Sequence, residues 1–134
     1  MSIRWSPASQ QRLDTVDPQL QQVVEATRDI VDMTIVTGHR GEHEQELAVQ
    51  QGRSQVHWPH GKHNAFPSKA VDIQPYPYPT TNAALREQLS YIAGIMVAMG
   101  HKLGVTIRWG GDWDSDGELS DNTFDDLFHF EVVE

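Results

Sequence analysis

At 134 residues the chain is long enough for one domain to bury a core without covalent staples. Its 10 basic and 19 acidic residues leave a net charge of −9, with no basic face to displace counterions from phosphates, which excludes nucleic acid as a partner. With no cysteine, disulfides and thiolate ligands are excluded, and a transition-metal site has to be built from His and carboxylate.

In chain order, Ser6-Pro7 and Asp17-Pro18 each set a capping side chain before a proline suited to the first helical position. After the second, Leu20, Val23, Val24, Thr27, Ile30 and Val31 recur at helical spacing and predict a helix over 18–31. Met33 to Thr37 is apolar and β-branched and stops at Gly38, which reads as a short buried strand. Glu42 to Gln51 reads as a helix ended by Gly52. Arg53 to Pro67 has neither period and is a long loop, of a length that in compact domains commonly carries function. Ala70 to Gln74 is a strand, closed by Pro75-Tyr76-Pro77-Tyr78-Pro79. Thr81 or Asn82 caps a helix to about Leu103. Val105 to Trp109 is a strand, an acidic Gly/Asp loop follows, and Phe128 to Val133 is the last strand. The order predicts an α+β fold: a small, mainly antiparallel sheet packed against three to four helices, as one domain over 1–134. Met1 to Pro7 has no apolar signal region, and the longest apolar run, Tyr91 to Met99, is about half a bilayer span. The expectation is a monomer made in the cytoplasm without a membrane anchor.

The chemistry lies on two strands of period two. In the last one Phe128, Phe130 and Val132 share a face, with His129 and Glu131 opposite. In the earlier one Val71 and Ile73 share a face, with Asp72 opposite. If the two strands are neighbours, Asp72 and His129 converge, and His63 from the long loop can join them. Two imidazoles and one carboxylate, with a fourth position for water, suit a catalytic zinc. Asp126, three residues before His129, can reach the same site as the carboxylate that takes the proton.

Lys62-His63-Asn64-Ala65-Phe66-Pro67-Ser68-Lys69-Ala70-Val71-Asp72 and Asp126-Leu127-Phe128-His129-Phe130-Glu131 resemble the metal motifs of the zinc D,D- and L,D-peptidase family of peptidoglycan hydrolases. A third segment, Ile35-Val36-Thr37-Gly38-His39-Arg40 followed by Gln45, is similar to that family's strand–Gly–x–Arg element and the Gln after it. The resemblance implies His63, Asp72 and His129 as zinc ligands, Asp126 as the catalytic carboxylate, Arg40 holding substrate and stabilising developing negative charge, and Gln45 as a further substrate-binding residue. The His-to-Asp gap is longer than in the family's short pattern, and its Pro67-Ser68 form resembles a phage subgroup. Gly61 stands where the pattern has Ser, so that hydroxyl contact to the substrate is either absent or supplied elsewhere, with Ser68 as the candidate. The implied function is an endolysin of the phage type, cutting between L-Ala and D-Glu of peptidoglycan stem peptides after a separate, holin-type export route has released it from the host cytoplasm. The alternatives are a D-Ala-D-Ala carboxypeptidase of the same family, or a non-catalytic wall-binding or virion-structural domain.

Two further features stay open at this level. His60, three residues before His63, is an alternative ligand. Asp112, Asp114 and Asp116 with Gly117 match the start of a calcium loop, although Thr123 occupies its closing position; an acidic turn competes with a regulatory Ca2+ site.

Overall fold

The computed structural model describes residues 5–112, 115 and 126–134, and the caps read from the sequence open their helices. Ser6 accepts from the Ser9 amide ahead of α1 (Pro7–Leu13), and Asp17 accepts from the Gln19 and Leu20 amides ahead of α2 (Pro18–Arg28). Helix α2 ends before the expected Val31. The Ile30 and Val31 amides both turn back onto the Thr27 carbonyl, and Asp32 caps the Met33 amide, so the chain is already bending into β1 (Met33–Thr37). After α3 (Glu42–Gln50) the long loop contains a single 3-10 turn at Lys62–Asn64. Then come β2 (Ala70–Pro75), α4 (Asn82–Leu103, capped by Thr81), β3 (Ile107–Gly110) and β4 (Asp126–Val132). Strand β3 starts later than the expected Val105, because the Val105 amide is spent on the Gly100 carbonyl as the chain leaves α4.

The four strands form an antiparallel sheet in the order β1-β2-β4-β3, so the architecture is α+β. Strands β2 and β4 are neighbours, with Val71 opposite Phe130 and Asp72 opposite His129. Because side chains alternate, this one register sends the first pair into the core and the second out of it. Val71, Ile73, Phe130, Ile107 and Trp109 pack with Leu20 and Val24 of α2 and with Leu89, Ile92 and Met96 of α4. The polar face carries Asp72, His129 and Glu131, and the chain from Gly38 to Asn64 folds over it through contacts to those residues and their neighbours. Among the described residues, no helix is long and apolar enough to cross a membrane.

Candidate metal centre

Asp72 and His129 meet because β2 and β4 pair there; His63 is brought to them by the 3-10 turn. His63 Nε2 lies 3.2 Å from Asp72 Oδ1 and 3.2 Å from His129 Nδ1, and His129 Nδ1 lies 3.3 Å from Asp72 Oδ1. The three donor atoms form a nearly equilateral triangle. Two zinc–ligand bonds of about 2.0–2.1 Å at a tetrahedral angle subtend an edge of about 3.3 Å, so the triangle fits one face of a zinc tetrahedron. Three protein donors of this kind leave one position for water, the pattern of a hydrolytic site. His60, the alternative ligand, is exposed on the cleft wall and is not part of this group.

Each imidazole is oriented by its other nitrogen. His63 Nδ1 lies 2.7 Å from the Gly38 carbonyl, an acceptor, so Nδ1 carries the proton and Nε2 faces the centre with a lone pair. His129 is held the other way round: Nε2 donates to Glu131 Oε1 at 2.8 Å, which opens Nδ1. Gly38 is required by close approach, since a Cβ there would collide with Thr15 Oγ1 and the Arg12 carbonyl. Gly38→Ala is therefore expected to displace the carbonyl behind His63 and weaken metal binding about 10–100-fold, which a competition titration against a chelating dye measures.

Asp72 divides its oxygens, Oδ1 to the histidines and Oδ2 to Arg40 Nη2 at 3.3 Å. Arg40 Nη1 donates to Gln45 Oε1 at 3.1 Å, and the Arg40 amide donates to the His63 carbonyl, tying the strand-exit segment to the 3-10 turn. Gln45 is 1% exposed, and its own amide donates to Ser54 Oγ and the Val56 carbonyl. Its hydrogen-bonding groups are thus committed inside the protein, where they hold Arg40 and the loop instead of making the substrate contact expected of Gln45. Asn64 closes the network by donating to the Arg40 carbonyl and to Gln45 Oε1.

The centre opens into a cleft of about 460 Å³ whose wall includes Arg40, Gln45, His63, Arg108, Asp126 and His129. Asp126 enters it at the start of β4, where it pairs with Gly110 across an irregularity in the β3–β4 ladder. A Cβ at Gly110 would strike the Asp126 backbone, so this position too needs glycine. Burial and the negative charge of Asp72 raise the Asp126 carboxyl above its ordinary range, against the pull of His129, His63 and Arg40. A carboxylate shifted upward is better matched to taking and returning a proton near neutral pH.

Without an ion, the same surroundings favour a proton on His129. Burial works against a charged His129, but hydrogen bonds to Asp72 and Glu131 outweigh it and raise its pKa to about 9. Glu131 moves the opposite way, to about 2: burial opposes ionisation, and His129 and Arg108 overcome it. The raised His129 stabilises the metal-free fold fully below its unfolded value of about 6.5, and that contribution fades as pH rises through about 9. Metal binding needs the neutral ring, so near pH 7 it must expel this proton. Apparent affinity for a divalent metal ion is expected to rise about tenfold per pH unit from pH 7 to 9 and then level off, with proton release measurable by calorimetry in buffers of different ionisation enthalpy.

The substrate contact expected of Ser68 is not formed either. Ser68 is fully buried, and its hydroxyl donates to the Ala70 carbonyl while accepting from the Ala70 amide. Its backbone is bonded to Thr15 and Asp17, so it fastens the start of β2 to the α1–α2 turn and cannot offer a hydroxyl to substrate. Of the acidic loop, Asp114 and Asp116 lie outside the described residues; Asp112 lines a separate apolar recess beside α4. The sequence motifs give Glu131 and Arg108 no role. The period of β4 already placed Glu131 on the His129 face, but Arg108 becomes its partner only through the β3–β4 register.

The family model described as phage L-alanyl-D-glutamate peptidase matches residues 1–133. The L-alanyl-D-glutamate peptidase of Escherichia phage T5 is 28% identical over 123 residues, which are 90% of this chain and 89% of that protein. Among solved structures, the L-Ala D-Glu endopeptidase ChiX of Serratia marcescens has a similar fold, with a TM-score of 0.72 at 23% identity over 98% of this chain and 91% of that one.

Proposed function

Because the chain belongs to the phage L-alanyl-D-glutamate peptidase family, we propose that it is a zinc metallo-endopeptidase hydrolysing the L-Ala–D-Glu bond of peptidoglycan stem peptides. The observation that carries the reading is the 3.2–3.3 Å triangle of His63, Asp72 and His129 beside Asp126 in one cleft. His63, Asp72 and His129 would hold the zinc, which when bound would supply Lewis-acid polarisation and a more acidic water. Asp126 accepts the proton of the attacking water and passes it to the leaving D-Glu nitrogen. Arg40 keeps Asp72 oriented through one arm, and its remaining N–H groups hold a substrate carboxylate or the developing oxyanion.

The cleft wall also includes Arg53, Lys62 and Arg108, a basic lining in a chain of net charge −9. Such a lining suits a stem peptide, in which D-Glu carries a carboxylate, and local charge of this kind selects and orients an anionic ligand. We place the enzyme as a single-domain, monomeric endolysin, held in the host cytoplasm until a separate export route admits it to the wall. A purely wall-binding or virion-structural role leaves a raised-pKa carboxylate beside a metal triad without purpose.

Digestion of defined muropeptides followed by mass spectrometry tests the assignment. A new D-Glu amino terminus is expected. Release of terminal D-Ala instead would make the protein a carboxypeptidase, and no cleavage by zinc-loaded protein would overturn the catalytic reading.

A further inference from the structure

We infer that Glu131, clamped by Arg108, is the positioning residue that holds His129 with Nδ1 open to the ion and strengthens it as a donor. The inference rests on the metal-centre reading above. The two histidines of the triangle are supported unequally. His63 is backed by a neutral acceptor, the Gly38 carbonyl, whereas His129 is backed by a carboxylate. A carboxylate only accepts, so it forces the proton onto His129 Nε2 and makes the ring a better electron donor at Nδ1.

Glu131 can do this because of where it lies on two ladders at once. It follows His129 by two residues on β4 and therefore shares its face of the sheet. Across the β3–β4 ladder it is the register partner of Arg108, whose Nη2 lies 2.7 Å from Glu131 Oε2. One carboxylate oxygen is thus spent on the histidine and the other on the arginine, so the carboxylate cannot rotate away without breaking both contacts. The Glu131 side chain is 5% exposed, while that of Arg108 is 34% exposed, so the chain of contacts runs from the cleft wall to the ligand. Arg108 also offsets the Glu131 charge, which leaves the charge at the ion itself set by Asp72.

The test uses the full chain, stripped of metal and titrated with Co2+ (read by visible absorption) and with Zn2+ by competition. Glu131→Gln keeps an acceptor but loses the charge, and is expected to weaken binding about tenfold; Glu131→Ala loses both, and the loss is expected to approach 100-fold with altered Co2+ bands. Arg108→Ala is expected to weaken binding less, Arg108→Lys to recover most of it, and Arg108→Ala added to Glu131→Ala to cost nothing further, since both act through one ring. Wild-type affinity and unchanged bands in Glu131→Ala overturn the inference. If Glu131→Ala does not fold, the Arg108 pair decides, and equal affinity of Arg108→Ala and wild type overturns it. Failure of the wild-type chain itself to take up either ion is a separate result, which removes the metal centre and this inference together.

Discussion

Asp126→Asn is expected to lower muropeptide turnover about 10²–10⁴-fold while leaving bound zinc and KM close to wild type. The side chain stands in the cleft wall but outside the donor triangle, so its loss does not touch the ion's ligands. Asparagine keeps the size and one acceptor oxygen but cannot take up a proton. Because burial and Asp72 raise the Asp126 carboxyl, activity of the wild type should fall as pH drops through that raised value. This acidic limb should be missing from the residual activity of the variant. Metal analysis combined with a pH profile of kcat/KM reads all of this, and a variant that clears cell walls as fast as wild type would remove Asp126 from the mechanism.

Asp72→Ala is expected to do more damage of a different kind, abolishing zinc retention and hydrolysis together. Asp72 is at once a donor to the proposed ion, the acceptor for His129, and the partner of the buried Arg40 guanidinium. Removing it leaves Arg40 with one buried contact fewer and the raised His129 without its first acceptor. Breaking a buried charged pair in this way costs about 3–5 kcal/mol. Thermal melts separate the two effects. Zinc should raise the Tm of wild type by mass action and leave the Tm of Asp72→Ala unchanged. If zinc stabilises the variant as strongly as wild type, the ion is held somewhere else.

The local pattern was sufficient for the elements and for the direction of their faces. Alternation in Ala70 to Gln74 and in Phe128 to Val132 puts apolar side chains on one side and Asp72, His129 and Glu131 on the other whatever the strands pair with. Ser6 and Asp17 could be read as caps for the same reason, because a cap depends only on residues within a turn. His63 lies in an aperiodic loop that carries no pattern of its own, so it stood only as a candidate until the motif likeness singled it out.

What remained was decided by tertiary structure, because it depends on which strands become neighbours and in what register. Pairing of β2 with β4 turns two separate polar faces into one centre, and pairing of β3 with β4 gives Glu131 its arginine. The same dependence explains the Ser68 correction: its hydroxyl is consumed where the chain from the α1–α2 turn meets the start of β2, and no local pattern records that meeting. Gln45 is similar, since its committed amide reflects the fold of the loop over the sheet. Side-chain direction is a property of a few consecutive residues; side-chain partnership is a property of the packed chain, and the centre requires both.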